Sequence, residues 1–135
     1  MSLETVRLFL HILGASVWVG GQIVLGAMVS VLREAGGDAA RRAAQRFAQV
    51  AWPFFGLAVL TGMWNVMADS PGDHSTGYQV ALMVKLLLVA ATGVGAAVHG
   101  KATKPTVRGM TAGFGLLAGL AAMFVGVGLA LSPAS

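Results

Sequence analysis

The sequence predicts an all-α integral membrane protein, a four-helix bundle with both termini outside, and three observations carry that prediction. The 135 residues are 56% hydrophobic and only 10% charged, whereas a soluble globular domain is about a quarter charged. Mean hydropathy is +0.78, so too few polar side chains remain to cover a surface facing water. Four apolar runs each approach the roughly 20 residues that a bilayer-spanning helix needs. A soluble enzyme, a disordered tail and a typical nucleic-acid-binding module are excluded on the same grounds. The pI near 10.4 does not reverse this. The nine Lys and Arg residues sit where membrane topology wants them and build no recognition helix, so no nucleic-acid partner is expected. The absence of cysteine excludes disulfides, thiolate metal sites and thiol catalysis.

The first span runs from about residue 5 to 31. It is longer than the apolar core of a signal peptide, carries His11 and Trp18, and has its basic cluster on the wrong side for a leader. It is therefore read as a membrane helix. Gly36 and Gly37 break it, and Asp38 is placed to cap the next helix. The second span covers about 47–68, extended at its start by the amphipathic AARRAAQR stretch from Ala39 to Arg46. A turn-rich SPGDHST loop leads to the third span, about 77–99. The segment GKATKP ends in a helix-breaking Pro105 and precedes the fourth span, about 107–131. Short connections make one transmembrane domain of residues 1–135 and favour a bundle. Nineteen glycines suit the close helix contacts that form in lipid.

Orientation follows from Lys and Arg. Arg33, Arg41, Arg42 and Arg46 flank or fill the first connection, and Lys101, Lys104 and Arg108 the third. The second connection and the C-terminus have none, and the N-terminus has Arg7. Loops 32–46 and 100–108 are thus expected in the cytoplasm, in a multi-pass protein of the cell (inner or cytoplasmic) membrane. The lipid bilayer is the expected environment, and other membrane subunits or further copies of the chain are the expected protein partners.

Ionisable residues inside spans are costly and mark function by default. Three stand out: His11, Lys85 and His99. At about 1.5 Å of rise per residue, His11 lies near the outer boundary and Lys85 about 12 Å below it. His99 falls at the cytoplasmic face. His11 and His99, roughly 20 Å apart along the membrane normal, cannot both ligate one haem. His11 and Lys85 share the outer half, where a single site is expected.

Spacing arranges these residues. His11, Trp18 and Gln22 follow one another by seven and four, and Lys85, Thr92 and His99 by sevens, so each set forms a stripe. Thr61 and Asn65 form a pair near the outer end of the second span. Trp52 and Trp64 sit near its two ends as interfacial anchors would. Trp18 is mid-span and is assigned to a pocket wall. Met63, Met67 and Met83 have the depth to join His11. Ordinary roles compete with each of these. A spanning histidine often bonds a neighbouring helix, a lysine can snorkel toward Asp69 or Asp73, and Gln22, Thr61 and Asn65 can be interhelical glue. Lys85 discriminates best, because the five acidic residues (Glu4, Glu34, Asp38, Asp69 and Asp73) all lie outside the spans. A buried ammonium needs an anion, neutralisation or water, and porphyrin propionates would supply the first.

The motifs resemble a known group. HILGASVWVGG in the first span resembles the His-x6-Trp-x-Gly-Gly opening of the copper-resistance protein D (CopD) domain. FAQVAWPFFGLAVLTGMWN is similar to its second helix, and GYQVALMVKLLLV to its third, with an aromatic residue seven before the lysine. His11, Pro53, Lys85 and His99 also occupy places comparable to those in the haem-b-containing protoporphyrinogen oxidase HemJ, a related four-helix family. The resemblance implies a haem-binding or metal-handling bundle and leaves the choice open.

The leading expectation is a small redox protein binding haem b in its outer half. His11 is its axial ligand, Lys85 and Arg7 hold the propionates, and Trp18, Gly14 and Ala15 line the ring pocket. The second expectation is copper handling, with His11 and the thioethers of Met63, Met67 or Met83 as ligands suited to Cu(I). The third is a cofactor-free accessory subunit of a larger membrane complex.

Overall fold

The computed structural model describes residues 1–132. It is all-helical in its regular elements, and four long helices appear where four spans are expected: α1 (Leu3–Glu34), α2 (Ala39–Asp69), α3 (Thr76–Lys101) and α4 (Pro105–Ala130). A single turn of 3-10 helix, Pro71–Asp73, lies between α2 and α3. All four long helices have the length and apolarity to cross a bilayer. They run a few residues past most of the expected boundaries, because polar residues at a helix end keep their backbone bonds outside the hydrocarbon.

Local chemistry explains the ends. Ser2 caps α1, its hydroxyl accepting from the Thr5 N–H at 3.2 Å, and Ser75 caps α3 in the same way toward Tyr78. The break after α1 uses positive φ at Gly36 (78°) and Gly37 (59°), where a side chain would clash with its own backbone. Asp38 meets Arg41 at 3.5 Å through its carboxylate, while its main-chain oxygen accepts from the Arg42 N–H. The amphipathic AARRAAQR stretch is continuous with the second span and forms the first two turns of α2. Pro53 stands inside α2 without ending it. Pro105 opens α4, a position where its missing N–H costs nothing.

The chain forms two compact units, one hairpin of α1 and α2 (residues 1–68) and one of α3 and α4 (from residue 69 on). The buried apolar side chains are small or few: Trp18, Val19 and Ala51 in the first hairpin, Ala118 and Ala122 in the second, beside buried glycines and the threonines Thr61 and Thr92. Large apolar side chains point outward instead, with Phe124 81% exposed and Leu60 and Leu117 each 68% exposed. That distribution suits a lipid surround, where apolar side chains outside cost nothing.

Candidate functional site

In the first hairpin, close approach of α1 to α2 sets the register. A side-chain carbon at Gly14 would fall 2.7 Å from the Phe54 carbonyl oxygen and 2.8 Å from the Ala58 nitrogen. Only hydrogen fits there, so the room beside Gly14 is taken by the α2 backbone. One turn toward the basic end, Trp18 is 4% exposed. Its ring packs at 4.4 Å from Phe55 and edge-on at 5.1 Å from Trp52. Further along, the Phe47 ring occupies the space over Gly21.

One turn the other way lies His11. Its Nδ1 donates to the Ala58 carbonyl oxygen at 2.8 Å, and the Thr61 hydroxyl oxygen is 3.3 Å from the same nitrogen. Thr61 itself donates to the Leu57 carbonyl at 2.6 Å. Gly62 admits the ring, since a side-chain carbon there would stand 3.1 Å from His11 Cε1. A carbonyl only accepts, so the Ala58 contact puts a proton on Nδ1 and, in the neutral ring, leaves the lone pair on Nε2. That is the arrangement in which histidines hold metals, with the second nitrogen tied to a carbonyl that orients the ring.

Arg7 is one turn before His11 on α1, and Asn65 about one turn beyond Thr61 on α2. Because the two helices run antiparallel, both lie on the N-terminal side of the His11 contact. Arg7 Nε and Asn65 Oδ1 are buried and have no hydrogen-bond partner. A donor and an acceptor are thus left open beside the histidine.

The second hairpin uses its polar stripe differently. Thr92, 3% exposed, donates to the Gly115 carbonyl at 2.6 Å. At Gly95 a side-chain carbon would reach within 3.1 Å of the Gly115 Cα. His99 donates from Nδ1 to the Arg108 carbonyl at 2.8 Å. Lys85 lies over Gly126, with Nζ 2.9 Å from where a side-chain carbon would stand. The stripe of sevens on α3 therefore faces α4.

His11, Thr61, Asn65 and Arg7 belong to the first hairpin and Lys85 to the second. Ala15 is half-buried on α1, and Met63, Met67 and Met83 are exposed on their helices. Met63 and Met67 lie one turn apart on α2 in the first hairpin, and Met83 lies on α3 in the second. Among the described residues no three His, Cys, Asp or Glu side chains gather as a metal cluster. Gln22 bonds to its own helix at the Trp18 carbonyl, 3.1 Å away. Trp52, expected as an interfacial anchor, is part of the Trp18 aromatic cluster.

One group escaped the sequence reading. Between α2 and α3, His74 donates from Nε2 to the Asp69 carbonyl at 3.2 Å. Tyr78 donates to Asp69 Oδ2 at 2.7 Å, and its ring stacks on His74 at 4.1 Å. The His74–Tyr78 spacing of four was the available signal.

Residues 41–134 match the family described as Copper resistance protein D. No curated protein and no solved structure matches the chain. The match opens in the first turn of α2, so it covers the three methionines and Lys85 while α1 and His11 lie ahead of it.

Proposed function

The chain belongs to the copper resistance protein D family, and from that premise we propose that it handles copper ions inside the membrane with His11 as the coordinating residue. The observation that carries this reading is the 2.8 Å bond from His11 Nδ1 to the Ala58 carbonyl. It orients the ring and places the lone pair of the neutral imidazole on Nε2, a borderline donor of the kind suited to copper. Thr61 stands beside the same nitrogen and steadies the tautomer. The thioethers of Met63, Met67 and Met83 are soft donors for Cu(I) in transit. The ion is cargo here, and a single imidazole suits a ligand that must also let go. In this reading loops 32–46 and 100–108 face the cytoplasm, both termini lie outside, and the protein resides in the cell membrane.

Haem b is the second reading, and the buried, unpartnered Nε of the half-buried Arg7 favours it, since a guanidinium near a histidine suits a propionate carboxylate. Membership of the family supports copper and adds nothing for haem.

One preparation tests both. The protein is purified in mild detergent, its metal content and visible spectrum are recorded, and Cu(I) affinity is measured by chelator competition. We expect stoichiometric Cu(I) binding that weakens at least about tenfold in His11→Ala. Unchanged affinity in that variant, at unchanged helical content, overturns the copper assignment. A Soret band with stoichiometric iron, lost in the same variant, establishes haem instead. A colourless, metal-free protein with a fixed copurifying subunit leaves the accessory role.

A further inference from the structure

We propose that the basic start of α2 binds the phosphate group of an anionic membrane lipid. At about 1.5 Å per residue the 31 residues of α2 span about 46 Å, well beyond the roughly 30 Å of hydrocarbon. Several turns therefore lie at headgroup depth or beyond, and the polar end is the start. There Arg42, Gln45, Arg46 and Gln49 form an exposed face beside an open depression of about 540 Å³, to which Ala39 and Ala43 also contribute. Two guanidinium groups one helical turn apart are matched to phosphate oxygens.

Their charge is not compensated locally. The ion pairs among the described residues are Arg41–Asp38 and His74–Asp69, so neither Arg42 nor Arg46 meets a carboxylate. Arg46 donates from Nη1 to Gln49 Oε1 at 3.1 Å, which holds its guanidinium in place. Short side chains at Ala39 and Ala43 keep the depression open. Immediately beyond it α2 exposes Val50 and Trp52, an apolar continuation along which an acyl chain can lie. That continuation separates a lipid from free phosphate. An arginine pair at the bilayer surface also gains from the negative potential of anionic lipid.

The test uses the full chain, delipidated in detergent and then offered phosphatidylglycerol and phosphatidylcholine in competition, with retained lipid read by native mass spectrometry. The wild-type protein is expected to prefer phosphatidylglycerol by roughly thirtyfold, and R42Q/R46Q to show near parity. Each single variant should lower the preference by about fivefold, which keeps the proposal testable if the double variant fails to fold. K101Q, in the other basic loop, should change nothing. Equal retention of both lipids, a preference that survives R42Q/R46Q, or displacement of phosphatidylglycerol by inorganic phosphate would each overturn it.

Discussion

The two hairpins are built by the same means and differ in which of their polar groups they partner. Each brings its helices together over glycine: Gly14 against the α2 backbone in the first, Gly95 against Gly115 in the second. In α3–α4 the interhelical bonds close, Thr92 to the Gly115 carbonyl and His99 to the Arg108 carbonyl. In α1–α2, His11 is anchored but Arg7 Nε and Asn65 Oδ1 stay open. Lipid gives little hydrophobic drive to helix pairing, so close packing and hydrogen bonds supply it. The closed contacts of Thr92 and His99 stabilise the α3–α4 pairing. Open buried polar atoms cost about 1–3 kcal/mol each, and in the reading proposed above a ligand beside His11 would offset that cost.

Substitutions sharpen or break this contrast. The largest effect is expected at Gly14, where Leu must push two backbones apart and cost about 3 kcal/mol. Gly20→Leu on the same helix meets open space and should be near neutral, with thermal denaturation in detergent comparing the two. Equal effects would show that Gly14 does not set the register. Trp18→Ala empties the aromatic cluster with Trp52 and Phe55 and is expected to cost about 2–3 kcal/mol. It should lower the melting temperature more than any aromatic substitution in α4.

The next pair separates stability from site. Thr92→Val removes a closed interhelical bond and should cost about 1 kcal/mol without altering Cu(I) affinity. Thr61→Val retains shape but loosens the surroundings of His11 Nδ1. It should weaken Cu(I) about tenfold with little change in melting. The opposite pattern would reverse the roles assigned to the hairpins. The smallest effect is expected at the connecting loop: Asp69→Asn weakens the pairing of the half-exposed Asp69 carboxylate with His74 and should change stability by at most about 0.5 kcal/mol.

The resemblance to the copper resistance family was visible in the sequence, and the family match supports it, although the match covers α2 to α4 rather than the His-x6-Trp-x-Gly-Gly motif of α1. The Lys85, Thr92 and His99 stripe was legible as a stripe, but its direction was not. It turns to α4, where Gly126, Gly115 and the Arg108 carbonyl receive it. Gly14, read as room for a flat ring, is where α2 comes closest. A glycine in a sequence means space, and only the neighbouring helix decides what fills it.

The sequence by itself determined the number of helices, their near-boundaries, the apolar exterior and the charge asymmetry on which the orientation rests. These follow from hydropathy and charge, which add along the chain and need no knowledge of its partners. Only the tertiary structure decided which carbonyl meets His11, and hence which of its nitrogens carries the proton. The same holds for the open atoms of Arg7 and Asn65 and for the depression beside Arg42 and Arg46. The depression depends on side-chain geometry along α2, and the others on the register between helices, set by contacts of about 3 Å between residues 40 to 50 positions apart.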